Sequence, residues 1–272
     1  MLVVVFYPML EAVITSLHRS ILWRPKDVAF IGLDNYFAIF HDQVFWESLG
    51  RTALWIGITI PLQLLLGFVT ALLLNQKFWW RPVARSLILI PWALPSVVIG
   101  LMWSWIYHPQ VGVLNDLLMR VGMLQSAMPW LADPHSALYA IIAALVWQGF
   151  PFFAIMILAG LQTIPGNLYE AASIDGATAW QKFIEITLPG LKSVLVTAVM
   201  LRIIWVANSM DVIYVMTGGG PGYATHTLPL YAFKRTYSSM DFGYGSALAV
   251  TFSMVLLVLI MVYLRRVGKD MK

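Results

Sequence analysis

Six runs of apolar residues, each long enough or nearly long enough to cross a lipid bilayer, dominate this sequence. Their limits lie near 2–17, 53–74, 86–107, 138–161, 194–216 and 246–264. A hydrocarbon core about 30 Å thick needs about 20 helical residues. Lipid offers no partner to a free backbone N–H or C=O, so each run is expected as a helix. The reading is an all-α membrane protein with about six transmembrane helices and a single domain over residues 1–272. Charge content agrees: 11% of the residues are charged, against about 25% in a soluble domain. Such a chain cannot cover itself with polar groups.

The first run is short and holds Glu11. It lacks a basic leader region and a small-x-small cleavage site, so it reads as a membrane helix rather than a secretory leader. Its brevity suggests that residues starting this helix precede Met1. The absence of cysteine excludes disulfides, thiolate catalysis and Cys-based metal sites. The five histidines show no ligand spacing. The net charge of +4 is scattered between apolar runs and does not point to nucleic acid. Prolines 8, 61, 91, 95 and 151 fall inside runs. Each reads as ordinary bundle irregularity, although kinks also leave gaps that a pathway can use.

Lys77, Arg81 and Arg85 form a compact basic loop without acids, Lys182 and Lys192 follow the fourth run, and Arg265, Arg266, Lys269 and Lys272 end the chain. Arg19, Arg24, Lys26, Arg51, Arg120, Lys234 and Arg235 fall on the other side. The bias is weak but places both termini in the cytoplasm. On the outer side, Gly32-Leu-Asp-Asn-Tyr36 suggests a short interfacial element. Residues 112–123 suggest a short amphipathic helix with Val113, Leu114, Leu117, Leu118 and Val121 on one side, to rest on the membrane or, as the second reading, on a partner.

The loop over 165–191 is not an ordinary membrane connector. Asn167 is a good N-cap with Glu170 three residues on, and Gly176 is placed to end the helix as a C′ glycine. Thr178 with Gln181 repeats the capping-box spacing, and Pro189 is expected to break the chain before the next span. The pattern specifies a helix-turn-helix carrying small Ala171 and Ala172, acidic Glu170 and Asp175, and a large Trp180. A short amphipathic helix of this kind suits a groove on another protein.

Glu170-Ala171-Ala172, then Asp175-Gly176-Ala177, then Ile186-Thr187-Leu188-Pro189, resembles the EAA motif of permeases from binding-protein-dependent ABC importers. The stretch Asp211-Val-Ile-Tyr-Val-Met-Thr-Gly-Gly-Gly-Pro221, followed by Thr225 and Thr227-Leu228, resembles the carbohydrate-type members, above all the maltose-type first permease subunit. Tyr7-Pro8, Gly32–Tyr36 and the region 81–95 fit the same pattern. The resemblance implies the type I importer permease fold, located in a prokaryotic inner or plasma membrane. It implies transport of a mono-, di- or oligosaccharide or a glycerol-phosphate-like solute. Partners would be a second homologous permease, an ATPase dimer carrying ATP and Mg, and an extracytoplasmic solute-binding protein. The chain itself would be non-catalytic and bind no cofactor. Residues 170–172, 175–177, Trp180, Leu188 and Pro189 would face the ATPase.

Individual residues carry two readings each. Glu170 either caps its own helix or meets a basic group on the ATPase, and both can hold. Arg202 and Asp211 are charges inside a run, where they are costly and mark a pathway or a buried partner. Nine residues apart at about 100° each, they face opposite sides of a straight helix, which leaves Arg202 to pair with Glu11, with another subunit, or with solute. Trp147, Gln148 and Phe152 around the Gly149-Phe-Pro151 kink, and Trp205, Asn208 and Ser209, combine aromatic faces with hydrogen-bonding groups suited to sugars, or alternatively bridge helices. Gly218–Gly220 lack a following Lys-Ser/Thr and are not a phosphate loop. An importer for another solute shares the EAA motif. A secondary transporter would need inverted repeats and leaves the loop unexplained. An intramembrane enzyme would need converging acids and histidines that the runs lack.

Overall fold

The computed structural model describes residues 2–269. In chain order its helices are α1 (Leu2–Ser16), α2 (Asp34–His41), α3 (Gln43–Asn75), α4 (Arg81–Ala93), α5 (Ser96–Ile106), α6 (Val113–Arg120) and α7 (Ala137–Thr163). After these come α8 (Gly166–Ile174), α9 (Ala179–Lys182), α10 (Leu188–Asn208), α11 (Asp211–Thr217), α12 (Leu228–Tyr237) and α13 (Phe242–Lys269). A two-residue antiparallel pair, His18–Arg19 with Ala29–Phe30, is the one sheet among the described residues.

Four stretches are long and apolar enough to cross a bilayer: Gln43–Asn75, Ala137–Thr163, Ala179–Thr217 and Phe242–Arg266. The expected span over 86–107 is instead a bent pair, α4 and α5 meeting at 93°. Pro95 is the cause: its ring drives Leu94 out of helical geometry, to φ −75° and ψ 139°, and its missing N–H cannot continue α4. Helix α1 has 15 residues, short of the roughly 20 that span a core. The six runs thus become four long spans, one bent pair and one short helix packed on α13.

Helix α7 is central. In its apolar stretch 67% of the residues are buried, against 28% in α3 and 22% in α13, whose outer faces remain for lipid or partners. Helices α3 and α7 form the main crossing. A side chain at Gly67 would overlap the backbone of Phe150 and Ala154, so glycine permits that approach. Trp55 Nε1 donates to Val206 O at 3.0 Å and ties α3 to α10.

The expected break at Pro189 is absent. Residues Phe183–Thr187 form a wide π-turn in which the Leu188 N–H donates to Phe183 O, and Pro189 follows in the first turn of α10. The widened turn lets the helix continue past a residue that has no N–H to give. The fifth span therefore begins inside the loop rather than at Val194.

The signatures around Gly32–Tyr36 and Asp211–Leu228 are tied into the fold by hydrogen bonds. The Asn35 amide donates to Ser16 O and His18 O, pinning α2 to the end of α1. Asp42 caps α3 and accepts from the Tyr231 and Tyr244 hydroxyls, joining α3, α12 and α13. Burial opposes ionisation of Asp42, but these hydroxyls and the backbone amides of Val44 and Phe45 hold its carboxyl below the usual range. Thr217 and Thr225 bond through their hydroxyls at 2.8 Å, and Thr225 donates to Gly220 O, so the glycine stretch is a rigid cap. Helix α6 leaves Val113, Leu117 and Val121 exposed on one face, while Leu114 turns partly toward the core. Asn115 is buried and bonded to Met128 and Trp130.

His226 lies in this cap at 3% exposure, with Nδ1 lacking a partner among the described residues. Burial, then repulsion from Lys234 and Arg51, push its pKa down from 6.5 to about 4. Below pH 6.5 the unfolded chain takes up a proton that the folded chain refuses, so stability is complete above pH 6.5 and is lost as pH falls toward 4. The loss reaches roughly 3 kcal/mol. Thermal midpoints of the purified chain should fall across that window, and His226→Gln should flatten the fall. An unchanged pH profile in the variant would exclude His226 as its source.

Candidate functional site

Two places gather the residues singled out in the sequence. The first is an open cavity of about 340 Å³ at the junction of α10 and α11. It is lined by Gln148, Arg202, Trp205, Asn208, Ser209 and Asp211, together with Trp92 and Ser96. The helix break explains how Arg202 and Asp211 share it. Helix α10 stops at Asn208, Ser209 takes an extended ψ of 96°, and α11 restarts at Asp211. The straight-helix premise that set the two charges on opposite sides fails at this break.

Phe152 forms the wall behind the cavity, its ring 5.1 Å from Trp205 and 6.1 Å from Trp92. Trp147 is not part of the site; it packs edge-on against Trp103 at 5.9 Å. Trp92 and Ser96 flank the Pro95 break and were missed. The available signal was the repeated proline in Pro91-Trp-Ala-Leu-Pro95, which exposes side chains on both sides of an interrupted helix.

Arg202 is 6% exposed, and its partner is neither Glu11 nor a carboxylate. Its Nε and Nη2 donate to Gln63 Oε1 at 3.0 and 2.7 Å. Gln63 Nε2 in turn donates to Leu145 O at 2.7 Å. The guanidinium also lies 5.9 Å from the Phe152 ring centre. Gly149 makes room, because a Cβ there would overlap both Arg202 Nη2 and the Gln63 amide. Gln63 was also missed in the sequence, where one amide in an apolar run gives no hint of its partner. The cavity thus combines tryptophan faces, amides, two hydroxyls, a carboxylate and an oriented guanidinium. That set suits a polyhydroxylated solute, held by stacking and hydrogen bonds.

The second place is the helix-turn-helix over 165–191. Helix α8 begins at Gly166 after Pro165, without a side-chain cap, so Asn167 is not its N-cap and Glu170 closes no capping box. Proline supplies the entry geometry that Asn167 was expected to supply. Glu170 is exposed and has no hydrogen-bond or ionic partner among the described residues. The end of α8 follows expectation. Gly176 has φ +77°, and the Gly176 and Ala177 amides donate to Ser173 O and Ala172 O at 3.2 and 2.8 Å. The Thr178–Gln181 capping box is also present.

Cross-bonds stiffen the element. Lys182 Nζ donates to Ser173 Oγ at 2.6 Å, and Tyr169 and Thr187 share a hydroxyl bond at 2.9 Å. Trp180 stacks on Phe183, which packs edge-on against Phe68 of α3. Leu168, Ile174 and Trp180 nevertheless stand 48%, 86% and 70% exposed. Glu170, Ala171, Asp175 and Trp180 lie on the exposed surface, whereas Ala172 and Ala177 are half-buried. Leu188 and Pro189 lie apart, in a groove with Tyr263 of α13.

Comparison with known proteins bears on the family and the fold. Residues 63–268 match the profile of the binding-protein-dependent transport system inner membrane components. The chain is 44% identical to the sulfoquinovosyl glycerol transport system permease protein SmoG of Agrobacterium fabrum, over 96% of this chain and 84% of that protein. It is 40% identical to the trehalose/maltose transport system permease protein MalF of Thermococcus litoralis, over 97% and 88%. Its fold is that of a chain in the crystal structure of a bacterial ABC transporter that imports alginate, with a TM-score of 0.86 at 20% identity, over 100% and 92% of the two chains. This chain belongs to the family of binding-protein-dependent transport system inner membrane components.

Proposed function

We propose that this chain is a sugar-transporting permease subunit of an ATP-driven importer. It lines the translocation pathway with a second permease of the same fold. The observation that carries this reading is the cavity at the α10–α11 break, where Trp92 and Trp205 meet Gln148, Asn208, Arg202 and Asp211. The names of the two relatives, both glycoside transport permeases, support a carbohydrate as the solute. The chain performs no bond chemistry of its own, and ATP with Mg is held by a separate ATPase dimer. A soluble binding protein delivers solute at the outer face. The 165–191 element faces the cytoplasm, as do both termini, and its exposed Ile174 and Trp180 seat in the ATPase. The bonds between Lys182 and Ser173 and between Tyr169 and Thr187 let it move as one piece with α10.

Two measurements test this. Detergent pull-down of the chain from its native membrane should return an ATPase and a second permease; recovery of the chain alone would overturn the importer reading. In proteoliposomes holding the purified complex and its binding protein, a mono- or disaccharide should stimulate ATP hydrolysis. Trp205→Ala should weaken its transport about tenfold, the effect of losing one stacking face worth about 1.4 kcal/mol. Unchanged uptake in that variant would remove the cavity from the pathway.

A further inference from the structure

The elbow between α3 and α4 lies apart from the cavity at the α10–α11 break. An apolar groove of about 660 Å³ opens there, lined by Leu73, Phe78, Trp80, Ala84, Leu87 and Ile88. Lys77, Arg81 and Arg85 lie on the same elbow, and no acid occurs anywhere over residues 75–92. Buried Nε atoms of Arg81 and Arg85, and Nη2 of Arg85, lack any partner among the described residues. Trp79 is 92% and Trp80 48% exposed, the placement of rings that sit at a bilayer interface. The elbow shares an end of the bundle with the helix-turn-helix. Phe68 of α3 touches Phe183, and Arg85 lies in a pocket with Gln162, next to the start of α8.

Cations within a turn of the groove's lining residues, with Arg85 in an adjoining pocket that shares Leu74 and Ile88 with the groove, are complementary to one class of molecule, in which a single negative charge is joined to long hydrocarbon chains. A neutral lipid would fill the groove but leave the cations unpaired. We propose that this elbow is a site for one anionic phospholipid. Its phosphodiester lies between Lys77, Arg81 and Arg85, and an acyl chain runs along Leu73, Phe78, Leu87 and Ile88. Bound there, the lipid braces the elbow against the end of α7 beside the helix-turn-helix. The inference is independent of which solute the chain transports.

The test is native mass spectrometry of the purified complex, delipidated and offered equal amounts of phosphatidylglycerol and phosphatidylcholine with matched chains. The wild type should retain phosphatidylglycerol at least about tenfold over phosphatidylcholine, and Arg81→Gln with Arg85→Gln should lose about fivefold of that preference per cation. Arg81→Lys with Arg85→Lys should keep most of it, which separates lost charge from misfolding. Leu87→Glu, on the groove and away from the cations, should lower retention as well. Glycerol phosphate without acyl chains should form no adduct. An adduct of equal abundance with glycerol phosphate would overturn the lipid assignment. So would equal retention of the two lipids by the wild type, or loss of the ATPase from the glutamine variant with lipid retention unchanged.

Discussion

Glu170→Lys is expected to remove the ATPase from the complex and to abolish uptake, while the chain itself inserts and folds as before. Glu170 is exposed and without a partner among the described residues, so reversing its charge disturbs nothing within the chain. The element around it carries Glu170, Asp175 and Glu185 against Lys182, and therefore presents net negative charge to whatever docks there. Placing lysine against a complementary basic surface, in a contact that excludes water, costs about 2–5 kcal/mol. That corresponds to a loss of affinity of roughly 30-fold or more. Ile174→Ser should act in the same direction through lost apolar burial, since Ile174 is 86% exposed in the isolated chain. The measurements are ATPase recovery by pull-down and solute uptake in vesicles, with the chain's thermal midpoint as the folding control. Normal uptake with Glu170→Lys would sink the docking role. A lowered midpoint would show instead that Glu170 serves the fold.

Gln63→Leu gives the second large effect, and on stability rather than docking. Gln63 Oε1 is the acceptor for two N–H groups of Arg202, which is buried between α3, α7 and α10. Leucine leaves a guanidinium without its acceptor in an apolar interior, at a cost of about 3–5 kcal/mol. Combining Gln63→Leu with Arg202→Met removes the buried charge along with its acceptor, and should recover most of that loss. The double variant separates two roles of Arg202. Its thermal midpoint should approach that of the wild type, yet its uptake should stay depressed, because Arg202 also lines the cavity. Full recovery of uptake would make Arg202 a structural residue alone. Failure to recover stability would mean that Gln63 acts chiefly through its bond to Leu145.

The helix-turn-helix was legible because its signals are local. Gly176 ends α8 at positive φ, and Thr178 with Gln181 caps α9, as spacing alone requires. Where a local rule met a competing geometry it failed. Asn167 lost the cap position to Pro165, and Pro189 did not end a helix because a π-turn absorbed its missing N–H. The cavity was legible by composition and not by position. Gln148, Trp205, Asn208 and Ser209 were marked for their chemistry, but Trp147, adjacent to Gln148, turned to Trp103 instead.

Hydrophobic run length, backbone hydrogen-bond demand and the capping residues by themselves determined an all-α membrane chain and its exposed helix-turn-helix. These effects act within one segment, so a single sequence carries them. The partner of Arg202 and the shared cavity of Arg202 and Asp211 were decided only by tertiary structure. Gln63 lies 139 residues from Arg202 along the chain. No periodicity within either segment encodes which helix will cross beside it, how closely Gly149 lets it approach, or where a helix will break to bring two charges to one cavity. Those outcomes depend on packing several helices at once, where one steric allowance settles which polar groups meet.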